Sequence, residues 1–202
     1  MNETMNPTRP GVEKVPQGRL GMWILIAGEL VIFGGLIASY LLYRARFPEW
    51  EEMASHTNTM WGAINTFVLL TSSYFVVLAH QAARKGNTKN ITIYISATIF
   101  CALMFLVIKG IEYTSEIQHG FTLPGNDLIA EGNFIGSTYW AFYYIMTGLH
   151  GLHVIAGAII LLVIMLQAKK GKNLHRVEIA GMYWHMVDIV WIFLFPLLYI
   201  AN

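Results

Sequence analysis

Five stretches of this chain, residues 20–43, 61–83, 90–112, 138–166 and 178–201, are apolar almost throughout. Each reaches the ~20 residues that a helix needs to cross ~30 Å of hydrocarbon. No other feature limits the fold as strongly. Hydrocarbon offers no hydrogen bonds to an exposed backbone, so each stretch must close its own bonds as an α-helix. Composition agrees: 55% of the 202 residues are hydrophobic and only 12% are charged, against ~25% charged in soluble domains. The expected fold is all-α, an integral membrane bundle of five transmembrane helices. Residues 1–19 form a polar tail and residues 20–202 the membrane domain. The fourth stretch exceeds the span length, which implies tilt or extension past the bilayer. Connections such as "RKGNTKN", "HGFTLPGNDLIAEGN" and "KKGKNLHR" are short, so consecutive helices should pack antiparallel.

Direction follows from the basic residues. Arg9, Lys14, Arg19, Arg84, Lys85, Lys89, Lys169, Lys170, Lys172 and Arg176 fall on one side, and Arg44 and Arg46 on the other. Ten against two predicts a cytoplasmic N-terminus and an external C-terminus. The tail holds three prolines and no apolar h-region, so no cleavable signal peptide is expected, and the first span serves as its own insertion signal. Tyr43, Trp61, Tyr139, Trp140 and Tyr199, near the predicted external ends, fit an interfacial aromatic belt. A net charge of +1 gives no electrostatic case for nucleic acid. The single cysteine, Cys101, excludes an intrachain disulfide framework and a cysteine-based metal cluster.

Several ionisable residues nevertheless fall near mid-depth when the helices are counted at ~1.5 Å per residue. They are Glu29, His150, His153, His185 and Asp188. A charged group at the bilayer centre costs at least ~2.5–3.5 kcal/mol, so these side chains should face the bundle, a cavity or a partner. His185 and Asp188 are three apart, share a helix face and can hydrogen-bond. In "TGLHGLHV", His150 and His153 share a face beside Gly148 and Gly151, which would let another helix approach closely. Lys109 and Glu112, also three apart, can pair or snorkel to the external surface. In the first span, Gly34-xxx-Ala38 and Gly35-xxx-Ser39 are suited to tight helix contact. Pro196 removes a backbone bond near the external end of the last span, which predicts a kink there.

Three kinds of chemistry fit the histidines. His150 and His153 cannot take opposite axial positions of one haem at this spacing, and His185 offers only one partner from another helix. Two histidines with Asp188 or His185 could make three or four ligands for copper or zinc. Interhelical hydrogen bonding, at about 0.6 kcal/mol per contact, is the plainer alternative. The third is proton handling or a lipid-headgroup role, for which Glu29 is the best candidate. A neutral buried acid there can donate a hydrogen bond and also react with hydrophobic carbodiimides.

The longer motifs carry a resemblance that runs from about Arg19 to the C-terminus. "YYIMTGLHGLHVIAGAIIL" followed by "MYWHMVDIVWIFLFPLLYI" resembles the last two helices of subunit III of haem–copper cytochrome oxidases. "GRLGMWILIAGELVIFGG" resembles that family's entry helix, and "INTFVLLTSSYFVVLAHQAARKGN" its next helix and hairpin. "IKGIEYTSE" and "IGSTYWAF" are similar to the segments on either side of the following loop. The chain matches the five-helix form and lacks the two extra N-terminal helices of longer members. Gln81 stands where many members have a second histidine, and Lys109 where the position is usually uncharged.

The resemblance implies an accessory subunit of an aerobic terminal oxidase in a bacterial cytoplasmic membrane. Haems and copper would belong to subunits I and II, with no metal or cofactor in this chain. It would pack on subunit I, bind phospholipid, and support proton uptake and turnover stability. Glu29 matches the family's carbodiimide-reactive carboxyl and, with Asp188, is the proton-related candidate. Arg19 would meet a lipid phosphate, and His150, His153 and His185 would be packing residues. A quinol oxidase or nitric oxide reductase subunit shares these features. From a different class come a stand-alone b-type cytochrome and a proton-coupled transporter built on Glu29 and Asp188, though no internal repeat supports the latter.

Overall fold

The structure, a computed structural model, describes residues 17–55, 57–121 and 133–200. Residues 1–16 of the expected tail and most of the loop "HGFTLPGNDLIAEGN" lie outside the described residues. The described residues form helices α1 (Gln17–Arg46), α2 (Glu49–Ser55), α3 (Thr59–Arg84), α4 (Thr88–Gln118), α5 (Phe134–Lys169) and α6 (Arg176–Tyr199). All but α2 are long and apolar enough to cross a membrane. The protein is a multi-pass integral membrane protein of all-helical fold. The expected membrane domain starts within α1, whose first turn takes in the residues before position 20.

Local chemistry explains where the helices stop and start. Asn58, Asn87 and Asn133 each cap the following helix, accepting from the amides of Met60, Asn90 and Gly136 at 3.0, 3.1 and 2.8 Å. α3, α4 and α5 each end on a glycine, Gly86, Gly120 or Gly171, at φ of 66°, 86° and 67°. The residue after each returns its amide to a carbonyl five back, as in Asn87 to Ala82 at 3.0 Å and Phe121 to Glu116 at 3.0 Å. A side chain at these left-handed positions would clash with its own backbone, so glycine makes the stop sharp.

α6 is the hub. α3 and α5 pack on it, and α4 bridges α3 and α5 to complete a four-helix ring. The expectation that consecutive helices are neighbours fails for α1, which packs on α6 and α5 instead of α3. It buries little more than Phe33 and Tyr40 fully and presents a large apolar face outward. Close helix approaches use glycines other than those singled out from the sequence. A Cβ on Gly157 would stand 2.9 Å from the Trp184 ring, and one on Gly62 2.8 Å from Phe195. Gly34 and Gly35 face open space, and Gly148 and Gly151 line a groove between α4 and α5 with no neighbour nearer than 3.8 Å. Small residues mark a contact only where a partner helix is present on that face.

At the Tyr199 end, the seven-residue α2 folds back over the bundle and buries Trp50, Met53 and Ala54. It is too short for a hydrophobic period to reveal. Trp50 lies edge-on to Tyr40 at 5.3 Å and to Tyr139 at 5.5 Å. Tyr139, Trp140 and Tyr199, expected in an interfacial belt, are buried here, while Tyr43 remains 43% exposed. α6 continues through Pro196 to Tyr199, and hydroxyls bond its last carbonyls. Tyr40 donates to Leu197 at 3.1 Å, Tyr139 and Thr57 to Leu198 at 3.2 Å, and Thr59 to Tyr199 at 3.0 Å.

The Gly157–Trp184 contact is directly testable. Gly157→Ala forces a methyl against two rigid rings, Trp184 and Tyr183, and should cost about 1–3 kcal/mol. Thermal unfolding in detergent followed by circular dichroism should show the loss. Gly28→Ala, whose Cβ meets nothing within 4 Å, should leave the transition unchanged.

Candidate functional site: polar clusters inside the bundle

Two clusters of ionisable side chains occupy the span region, and a third lies at the basic end of the bundle. The first joins α1 to α5. His153 Nε2 stands 2.9 Å from Glu29 Oε2, an ion-pair distance without the alignment of a good hydrogen bond. His153 Nδ1 is 2.7 Å from the Leu149 carbonyl of its own helix. A carbonyl only accepts, so that contact assigns a proton to Nδ1. The gap between Nε2 and Oε2 then needs its own proton, on either atom, to be attractive. Phe33 closes the pair edge-on, 5.4 Å from the imidazole. Glu29 and His153, separate candidates in the sequence, are thus one unit.

The second cluster ties α4 to α5 and α6. Lys109 Nζ lies 3.0 Å from Glu112 Oε2, 3.0 Å from the Tyr143 hydroxyl and 2.7 Å from the Tyr199 hydroxyl. Both tyrosines donate to Glu112 Oε1 at 2.6 Å. Lys109 and Glu112 pair as expected, but they are buried, so the lysine does not snorkel. Its ammonium lies 4.8–5.4 Å from the ring centroids of Tyr113, Tyr143 and Tyr199, within cation–π range. Nearby, Tyr113 and Thr147 hydroxyls are 2.5 Å apart, and Glu116 is buried one turn further along α4. Sequence reading missed the roles of Tyr143, Tyr199 and Thr147. Tyr143, Thr147 and His150 do follow helical spacing, which was the available signal.

The third cluster lies at the basic end. Arg19 Nη2 pairs with Glu178 Oε1, joining α1 to α6. Arg84 Nε donates to His80 Nε2 at 2.9 Å. Between α3 and α6 runs a groove in two sections of about 290 and 380 Å³. Its outer part is lined by His80, Arg84, His175 and Glu178, and its inner part by Val76, Val77, Met182 and His185.

The remaining sequence candidates fall outside these pairings. His185 Nδ1 meets Ser73 Oγ at 2.7 Å rather than Asp188. Ser73 also lies beside Asp188, yet neither Asp188 oxygen has a hydrogen-bond partner among the described residues. His150 is buried between Phe105 and Trp191, at 5.5 and 5.0 Å. The set weighed as copper or zinc ligands does not converge: His153 turns to Glu29, His185 to Ser73 and His150 to aromatic rings. Among the described residues no three of His, Cys, Asp or Glu are placed to hold a metal ion.

The family model for cytochrome c oxidase subunit III matches residues 12–202. The chain belongs to that family. A cytochrome c oxidase subunit 3 of Corynebacterium diphtheriae is 33% identical over 187 residues, covering 89% of this chain and 86% of that protein. A protein of the same name from Thermostichus vulcanus is 30% identical over 188 residues, covering 91% and 87%. A probable quinol oxidase subunit 3 of Staphylococcus saprophyticus is 29% identical over 189 residues, covering 91% and 89%. Members of the subunit III family are parts of multi-subunit haem–copper oxidases, and this chain is such a subunit.

The Lys109–Glu112 pair gives a mutational test of this subunit. Lys109→Met leaves a buried carboxylate without its cation and should destabilise the fold by about 3–5 kcal/mol. Adding Glu112→Gln removes the stranded charge and should recover most of the loss. Unfolding of the purified subunit in mixed micelles compares the two directly.

Proposed function

We propose that this subunit is an accessory, non-catalytic component of an aerobic terminal oxidase, with haem and copper held by partner subunits I and II. The observation that carries the reading is the way its intramembrane histidines are held. His153 and His185 are engaged by Glu29 and Ser73, and His150 is enclosed by aromatic rings. The nitrogens of His153 and His185 serve helix contacts in this arrangement, and the three rings do not converge on a common point. The ten-to-two basic asymmetry favours a cytoplasmic N-terminus in a bacterial inner membrane. Subunit I is the expected main partner. The name of one relative, a probable quinol oxidase subunit, keeps a quinol-oxidising complex as the second reading.

Lipid binding is assigned to the groove between α3 and α6. His80, Arg84 and His175 surround its mouth, and a phospholipid phosphate would meet them there. An acyl chain would run inward along Val76, Val77 and Met182. Arg19 is paired with Glu178 beside the mouth, so a lipid phosphate would have to compete with that carboxylate for its guanidinium. Support for proton uptake is assigned to Glu29, whose contact with His153 needs one proton in the gap, and to the buried carboxyl of Asp188.

A tagged copy extracted in mild detergent should bring down haem-containing subunits, while the chain separated from them should show no Soret absorbance. A Soret band retained by the separated chain would reverse the assignment. Oxidation of cytochrome c but not quinol by the same complex would decide between the two donors. Within the complex, Glu29→Gln should abolish labelling of this chain by dicyclohexylcarbodiimide without preventing assembly. His185→Leu should weaken retention of the chain with subunit I while haem per assembled complex stays constant.

A further inference from the structure

α5 turns one face to the interior and carries on it Tyr143, Thr147, His150 and His153, about one helical turn of ~5.4 Å apart. One end of this row belongs to the Lys109–Glu112 cluster through Tyr143. Thr147 continues it, bonding the Tyr113 hydroxyl and donating to the Tyr143 carbonyl at 2.6 Å. The other end is His153, paired with Glu29. His150 stands between them, 0% exposed, and neither of its nitrogens has a hydrogen-bond partner among the described residues.

That is an unstable condition for an imidazole. A neutral ring carries one donor and one acceptor, and burying both unpaired is strongly disfavoured. Its two aromatic neighbours offer no remedy. Phe105 has no polar atom, and Trp191 already gives its Nε1 to Thr66 at 3.0 Å. Next to Thr66 on α3, Asn65 is also 0% exposed with both amide atoms unpartnered. His150 is enclosed within this chain, so a partner subunit cannot supply the bonds. A metal ion would need further ligands, and none converge among the described residues. Buried water remains, which characteristically makes about three hydrogen bonds to polar groups of this kind. Lys109 and His153 are the charged or titratable neighbours close enough to act on His150 electrostatically.

We propose that His150 is the main ligand of an internal water site in the layer where α3, α4, α5 and α6 meet. This water joins the Glu29–His153 pair to the Lys109–Glu112 cluster as one polar column along α5. The column is separate from the lipid groove between α3 and α6 and does not depend on it.

Two measurements on the intact oxidase complex test the site. A cryo-EM map that resolves waters elsewhere in the bundle should place water within ~3 Å of a His150 nitrogen, with a second contact to the column or to Asn65. A layer without water density overturns the proposal, and this measurement needs no variant. Thermal stability of the assembled complex gives an independent sign. His150→Leu should lower the melting temperature of the subunit by about 2–8 °C, because it strands the water and its other partners, and His150→Gln should recover part of that loss. If the imidazole is dry, His150→Leu removes an unpaired group and melting stays level or rises, which also overturns the proposal.

Discussion

Hydrocarbon accepts and donates no hydrogen bonds, so every polar group inside this bundle depends on another part of the protein. The end of α6 shows how far that constraint reaches. A helix leaves its last four carbonyls without intrahelical partners, and in this chain those groups are covered by α2 rather than open to water. Tyr40 from α1, Tyr139 from α5, and Thr57 and Thr59 from the segment after α2 each supply a hydroxyl. Four side chains from three parts of the chain are positioned by one helix terminus. Pro196, in the same turn, costs α6 a different bond, the one to the Ile192 carbonyl, and the helix continues through it.

The same dependence ties α1 to the bundle. It makes few contacts for its length, and its outward face is apolar. Three polar contacts at different depths hold it: Arg19 to Glu178, Glu29 to His153 and Tyr40 to Leu197. The middle one differs in kind, since it is attractive only while a proton occupies the gap between carboxyl and imidazole. Helix attachment and proton occupancy are therefore linked at Glu29.

The sequence made the five spans legible because length and apolarity in hydrocarbon leave only one secondary structure. Boundaries were legible where asparagine caps and glycine stops bracket the helices. Neighbour relations were legible from α3 to α6, each packed on the next, but not for α1. Loop lengths suggested α1 beside α3, whereas packing put α1 on α6 and α5, a choice made by distant side chains such as Tyr40 and Glu178. Spacing along one helix also misled. His185 and Asp188 share a face, yet His185 finds Ser73 on α3, because residues on a neighbouring helix compete for the same nitrogen. The Glu29–His153 pair spans 124 positions, beyond any local pattern. Aromatic residues at span ends read as an interfacial belt, but α2, too short to show a period, packs Trp50 on Tyr139, and Phe121 stacks on Trp140, so both are core.

Lys109 is a basic residue inside a membrane-spanning helix, and its surroundings explain how it is accommodated. A lysine ammonium has three donors and no acceptor. Glu112, Tyr143 and Tyr199 provide three oxygens at 2.7–3.0 Å, and the tyrosine hydroxyls donate hydrogen bonds to the second oxygen of Glu112. A buried ion pair of this sort adds little net stability over an apolar core of the same volume. Its effect is on register. With α4, α5 and α6 each contributing a polar group to one point, a slip of any helix by a single turn would strand a charge in hydrocarbon. The cluster therefore fixes the relative height of three helices, and with them the depth at which His150, His153 and Glu29 are presented.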